Sequence, residues 1–188
     1  MARLRSPEKR SAILEAAVLE IDAAGLGAPT SRIAARAGVA DGTLFTYFAT
    51  KEQLWNELYY ELKAEVYRRL NANLPLDASL KERARHIWNS YLDWAIEFPQ
   101  KRKVSAQLHL FDRITAATRE RTAAESGAVS ETLAELGQQG AARGMPSGFA
   151  SSIMSAMQDA AMDLIARHPG QRERLQNQTF EAFWKAVL

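Results

Sequence analysis

The residues best placed to do chemistry crowd into one short stretch. Gly42, Thr43, Phe45, Thr46 and Tyr47 lie between Gly38 and the long apolar pattern that begins at Lys51, and Thr30, Ser31 and Arg32 stand just upstream. Hydroxyls, a guanidinium and an ammonium at this density suit hydrogen bonds and ion pairs to an anionic partner. Bond-making chemistry has little material. There is no cysteine for a thiolate nucleophile or metal site. His86, His109 and His168 are scattered, with no HExxH and no paired Glu-x-x-His. No catalytic residue, metal ligand or cofactor site is assigned.

The elements that must position these groups read as helices. Ser6-Pro7-Glu8 is a helix start: a hydroxyl cap, proline at the first position and an acid in the first turn. Ile13, Ala16, Ala17, Ile21 and Ala24 then recur at helical spacing until Gly25 and Gly27. A second, short helix begins near Pro29, with Thr30 or Ser31 as its cap, carries Ile33, Ala34 and Ala37, and closes at Gly38. The third, roughly 41–48, places Leu44 and Phe48 one turn apart and inward. A fourth runs from Lys51 toward Asn71 with Leu54, Trp55, Leu58, Leu62, Val66 and Leu70 as its stripe. Further helices are expected at about 79–98, after Pro99, at 112–139, 147–168 and 171–188. No stretch shows strand alternation, so the fold class is all-α.

A third helix so short is marginal alone, because nucleation is costly, so its neighbours must hold it where something needs it. Two short helices joined by a glycine-bearing turn make a helix-turn-helix, whose second helix enters the DNA major groove. Gly38 permits the turn, Val39 plugs the angle, and Gly42 leaves the backbone uncrowded near a helix N-terminus suited to phosphate. Thr43, Thr46 and Tyr47 can bond phosphates or base edges.

The run "IAARAGVADGTLFTYFATKEQL", Ile33 to Leu54, resembles the DNA-binding motif of the TetR family of transcriptional regulators. The resemblance implies an N-terminal three-helix DNA-binding domain over residues 1–50. The fourth helix joins it to a helical effector-binding and dimerisation domain over 51–188. It implies that Thr43 faces bases or phosphate, that Tyr47 and Lys51 contact the phosphate backbone, and that Thr30 or Ser31, with Arg32, meets phosphate at the second helix. Phe45 stands where the family often has tyrosine, leaving ring packing or a thymine-methyl contact. Asp41, with Ala40, replaces a commoner serine-containing pair. It is read first as a helix cap, and otherwise as an acceptor from a cytosine amino group.

The family's C-terminal body encloses an effector pocket, for which Trp88, Tyr91, Trp94, His109, Phe111, Met154 and Met157 are candidates, each singly also readable as core. The last two helices imply a dimer face. Ser151, Ser155, Ala156 and Ala160 allow close approach, and Phe180, Phe183, Trp184 and Val187 supply apolar area, with intrachain packing as the other reading. Lys101 to Lys103, with Arg113, Arg119 and Arg121, form a second basic zone, read as a solvated face.

Composition agrees with a globular chain: 188 residues, 47% hydrophobic, 24% charged, net charge +2. Arg3, Arg5, Lys9 and Arg10 make the N-terminus basic. With no signal-like or membrane-length apolar run, a cytoplasmic location without membrane contact is expected. The reading is a homodimeric repressor that binds a palindromic operator and releases it when a small molecule binds. The alternatives are a helical protein-interaction module and, less favoured, an all-α enzyme.

Overall fold

A computed structural model describes residues 6–188. Arg3 and Arg5 of the basic N-terminus lie outside the described residues. The described chain is helical throughout: α1 (Pro7–Ala24), α2 (Thr30–Arg36), α3 (Asp41–Tyr47), α4 (Lys51–Asn71), α5 (Leu80–Glu97), α6 (Pro99–His109), α7 (Ala116–Ala124), α8 (Ala128–Leu136), α9 (Phe149–Arg167) and α10 (Arg172–Val187), with 3-10 turns at Gly140–Ala142 and Pro169–Gln171. It falls into two compact units. One comprises Met1–Ala64 and Phe98–Ala123, the other Glu65–Glu97 and Ala124–Leu188, and α4 runs through the boundary. Packing thus groups α6 and most of α7 with the N-terminal helices, a different cut from the division by role at residue 50.

Local chemistry sets the helix ends. The Ser6 hydroxyl accepts from the Lys9 amide at 3.3 Å and Pro7 opens α1, as the sequence implies. Thr50 and Gln53 cap α4: the Thr50 hydroxyl accepts from the Gln53 amide at 3.0 Å, and the Gln53 carboxamide accepts from the Ala49 amide at 2.7 Å. Ser79 and Glu82 cap α5 reciprocally, at 3.0 and 3.3 Å. The expected helix over 112–139 is instead two. Gly127 takes φ +52, and Asn71 donates to the freed Ser126 carbonyl at 3.0 Å, so the backbone turns where a lone glycine reads as tolerable in a helix.

The first unit closes on Ile13, Ala17, Ile21, Ile33, Leu44, Phe48, Leu54, Trp55, Leu58, Val104 and Leu108, all buried. Lys103 staples α6 to α1, 2.7 Å from the Asp22 carboxylate and donating to the Asp22 carbonyl at 2.8 Å. The Lys103 ammonium bonded to the carboxylate holds the Asp22 carboxyl below its ordinary range. The other cations of the second basic zone are also engaged within this unit: Arg113 with Glu52, Arg121 with Glu57, and Arg119 with the carbonyls of His109 and Phe111. Lys103, Arg113 and Arg121 stay exposed while making these pairs, so the solvated face carries its own carboxylate partners.

In the second unit Trp88 stacks on Phe183 with centroids 5.3 Å apart and meets Phe180 edge-on at 6.0 Å. Arg85 lies over the Phe180 ring at 4.1 Å and also pairs with Glu181. The Trp94 indole donates to Glu65 at 2.9 Å, which satisfies a polar atom that burial would otherwise orphan.

Candidate nucleic-acid interface

The turn between α2 and α3 follows from one residue. Gly38 takes φ +66, where a side chain is strained. Its amide donates to Ala35 at 3.1 Å and the Val39 amide reaches back to Ala34 at 3.0 Å, the paired bonds of a Schellman stop. This sends the chain abruptly into α3. Leu44 and Phe48 then sink into the core, at 0% and 2% exposed, with Val39 half-buried beside them. Seven residues of helix are thereby fixed by tertiary contacts rather than by their own propensity.

With Leu44 and Phe48 inward, Asp41, Gly42, Phe45 and Thr46 face solvent and Thr43 and Tyr47 are half-buried. Nothing lies within 4 Å of where a Gly42 Cβ would sit, so that position offers bare backbone to an approaching partner. The Thr46 hydroxyl donates back to the Gly42 carbonyl at 2.9 Å. The Tyr47 hydroxyl accepts from the Ser6 amide at 2.9 Å, which leaves its own proton to donate outward and fixes the ring against the start of α1. Lys51 donates to the Gly27 carbonyl at 3.1 Å and sits over the Trp55 ring at 5.4 Å, holding its ammonium beside the α1–α2 loop.

Around α2, Thr30 is half-buried and Ser31 exposed. Neither is the cap, because Pro29 occupies that position without a side-chain bond. Proline fixes the extended φ that a cap needs and leaves both hydroxyls outside the cap role. Asp41 does not cap α3 either. Ala40 is the cap residue, no side chain bonds there, and Asp41 is the first helical residue. Sequence reasoning also misses Glu20, 2% exposed. Arg36 Nε donates to it at 2.6 Å, and Arg32 Nε lies 3.0 Å from its other oxygen. This carboxylate orients the α2 arginines; its only sequence signal is a charge on the apolar face of α1.

The residues read as an effector wall divide between the units. His109 and Phe111 belong to the first, and Trp88, Tyr91, Trp94, Met154 and Met157 to the second. His109 stacks on Tyr59 at 6.4 Å, with Nδ1 3.3 Å from the phenol oxygen. Burial, followed by the charges of Lys63 and Arg119, lowers its pKa, while burial raises that of Tyr59. In the second unit Trp88, Trp94 and Met154 are buried and Tyr91 and Met157 half-buried. The Trp88 indole nitrogen and the Gln158 carboxamide nitrogen are buried without a hydrogen-bond partner.

The dimer candidates separate cleanly. Ser155, Ala156 and Ala160 are exposed on α9 and Ser151 and Trp184 half-buried, whereas Phe180, Phe183 and Val187 are 0% exposed. The last three are core of their own unit, because α10 turns its wide aromatic face toward Trp88. A side chain with no exposed surface cannot supply interface area.

Comparison with known proteins places this geometry. Residues 13–58 match the family model of bacterial regulatory proteins, tetR family. A protein from Shewanella sp. PV-4 assigned to the tetR family of transcription regulators is 26% identical, with a TM-score of 0.78 over 97% of this chain and 98% of that one. A TetR family transcription regulator from Marinobacter aquaeolei VT8 superposes with a TM-score of 0.80 at 22% identity, over 95% of each chain. The transcriptional regulator FadR from Bacillus subtilis, solved in complex with stearoyl-CoA, gives 0.69 at 20% identity, over 92% of this chain and 96% of that one.

Proposed function

We propose that this chain, which belongs to the TetR family of transcription regulators by its matched N-terminal segment and its fold, is a homodimeric repressor that grips operator DNA with α3 and lets go when a small molecule binds. The observation that carries the DNA reading is α3 itself. It is a seven-residue helix pinned by Leu44 and Phe48, with its polar groups and the bare Gly42 backbone turned outward. Thr43 and Tyr47 offer hydroxyl donors, and Lys51 and Arg32 supply charge near both ends of the motif. Phosphate contacts of this kind fix register, and the groups on α3 read bases.

So short a helix reads few base pairs, which favours two copies on successive turns of a palindrome, about 34 Å apart. The exposed small residues of α9, Ser155, Ala156 and Ala160, suit close helix approach between copies, with Ser151 and Trp184 at the margin. The second unit is the seat of the effector. The stearoyl-CoA complex of FadR supports a small-molecule role for this fold. Release requires the effector to bind the DNA-free state more tightly than the bound one.

The test is selection from a random pool of duplexes by the purified protein, followed by a small-molecule screen against the enriched duplex. Enrichment of a palindrome, and compounds that dissociate it, are the expected results. Enrichment of nothing by folded protein would overturn the DNA reading and leave the interaction-module alternative.

A further inference from the structure

One cluster of positive charge in the first unit has no carboxylate to balance it. Arg10, Arg32, Arg36, Arg113 and Arg121 each meet a carboxylate there. Arg119 meets none. Its Nη2 donates to the backbone carbonyls of His109 and Phe111, at 3.1 and 3.4 Å, and it forms no ion pair with the described residues. Those carbonyls belong to the corner where α6 gives way to α7, so the guanidinium is tied to that corner, with Cζ 5.7 Å from the centre of the Tyr59 ring. Lys63 stands one turn beyond Tyr59 on α4 and brings its ammonium to 5.8 Å from the same ring. His109, the last residue of α6, stacks along Tyr59 and keeps Nδ1 3.3 Å from the phenol oxygen. Tyr59 is buried, whereas His109 is exposed and its Nε2 has no hydrogen-bond partner among the described residues. Two cations and an imidazole edge thus converge on one aromatic platform. Cations held this close repel one another, and a bound anion relieves that repulsion.

We infer that the α6–α7 corner of the first unit is a binding site for a small oxyanion, a carboxylate or phosphate group, held by Arg119, Lys63 and the Nε2–H of His109 beside the Tyr59 ring. The site lies apart from the second-unit seat proposed for the effector, and it stands whether or not the chain binds DNA. The parts divide the work. The Tyr59 hydroxyl donates to Nδ1, which places the neutral imidazole's proton on Nε2, the edge that faces out. Arg119 supplies a charge-assisted hydrogen bond from a guanidinium whose position the two carbonyls fix. Lys63 adds its charge from the α4 side. The groups facing the imidazole are Tyr59 and Lys63 from α4 and Arg119 from α7, and with burial the two cations hold its pKa below the ordinary value. An anion seated among them opposes that field and favours the imidazolium, so binding and proton uptake reinforce each other.

The experiment uses the full chain and reads the His109 ring by NMR, its signal identified by its loss in His109→Gln. The probes are inorganic sulfate, a stand-in for a phosphate group, and acetate, each added at constant ionic strength against chloride. With sulfate, acetate or both, the His109 signal should shift to saturation and its pKa should rise by about one unit. A response to only one probe names the class of oxyanion. Lys63→Gln, which leaves the carbonyl bonds of Arg119 in place, should bind the probe about threefold more weakly. Arg119→Gln should bind it about tenfold more weakly. The inference is overturned if neither probe acts beyond chloride, if the shift grows without saturating (an adventitious ion only), or if both variants bind as the wild type does. It is also overturned if the enriched duplex moves the same signal and sulfate displaces it, because the occupant is then a DNA phosphate. Failure of the chain to bind any duplex would defeat the DNA reading and leave the probe results standing, so the two failures are distinguishable.

Discussion

Phe45 on α3 and Phe180 on α10 are the same side chain with opposite fates. Phe180 is 0% exposed, edge-on to Trp88 and beneath Arg85, while Phe45 is 43% exposed. Both helices are amphipathic. On α10 the aromatic residues fall on the buried face and hold the second unit together. On α3 the inward positions belong to Leu44 and Phe48, and Phe45 is left outside. The Phe180 ring is held in a stack and contributes to the fold, whereas the Phe45 ring leaves 43% of its residue's surface in water and is free to meet a partner.

That contrast breaks if the two classes of residue respond alike. The largest effect is expected at Phe180→Ala, which empties a fully buried site and should cost about 3–5 kcal/mol in urea unfolding; a loss below about 1 kcal/mol would deny it a core role. Gly38→Ala should cost about 1–2 kcal/mol, because its φ of +66 is strained for a side chain, and unfolding measurements that show no loss would discredit the turn. Lys51→Ala should weaken duplex binding about tenfold and reduce the salt slope by about one, with melting little changed; equal slopes for the two proteins would remove Lys51 from the phosphate contacts.

Gly42→Ala sharpens the comparison by asking for opposite signs. Open space around its Cβ position means the fold should gain about 0.5–1 kcal/mol from the better helix former, while DNA affinity falls if the backbone approaches closely there. Stabilisation without any loss of affinity would show that no partner comes near. The smallest effect is at His109. Burial, with Lys63 and Arg119 nearby, holds its pKa below the ordinary 6.5 in the folded chain. As pH falls through that value the unfolded chain takes up the proton first, so stability declines with acidification down to the folded-state pKa and is fully present above 6.5. Unfolding of wild type and His109→Phe between pH 7 and pH 5, both values about the histidine range, should show the shallower slope in the variant, and parallel slopes would contradict it.

Much of this was legible in the residues. The helical periodicity of α1 and α4, the left-handed turn at Gly38, and the inward pair Leu44 and Phe48 follow from spacing and steric rules that act locally. The TetR-family resemblance rests on the same stretch. What stayed hidden depends on neighbours distant in sequence. Asp41 looks like a cap, yet the backbone of Ala40 takes that position. Thr30 and Ser31 look like caps, yet Pro29 supplies the extended residue. The break at Gly127 needs the Asn71 side chain to receive the Ser126 carbonyl, 55 residues apart. Lys103 reads as solvated charge and stays exposed, but its partner Asp22, 2.7 Å away, is visible only once α6 packs on α1. Phe183 and Val187 could face a partner or their own chain, and only tertiary packing decides between the two. Glu20 is the clearest omission, since a carboxylate on a buried face is interpretable only after Arg32 and Arg36 come to meet it.

If α3 is the DNA-reading element, its outward face, with the cations beside it, meets the phosphate backbone and grooves of a duplex. The most direct measurement is the equilibrium affinity of the full chain for the enriched duplex across a series of salt concentrations. The expected result is a steep linear fall of log affinity with log salt, the mark of several displaced counterions, and a duplex footprint repeated in two symmetric halves. Affinity that does not change with salt, from folded protein, would contradict it.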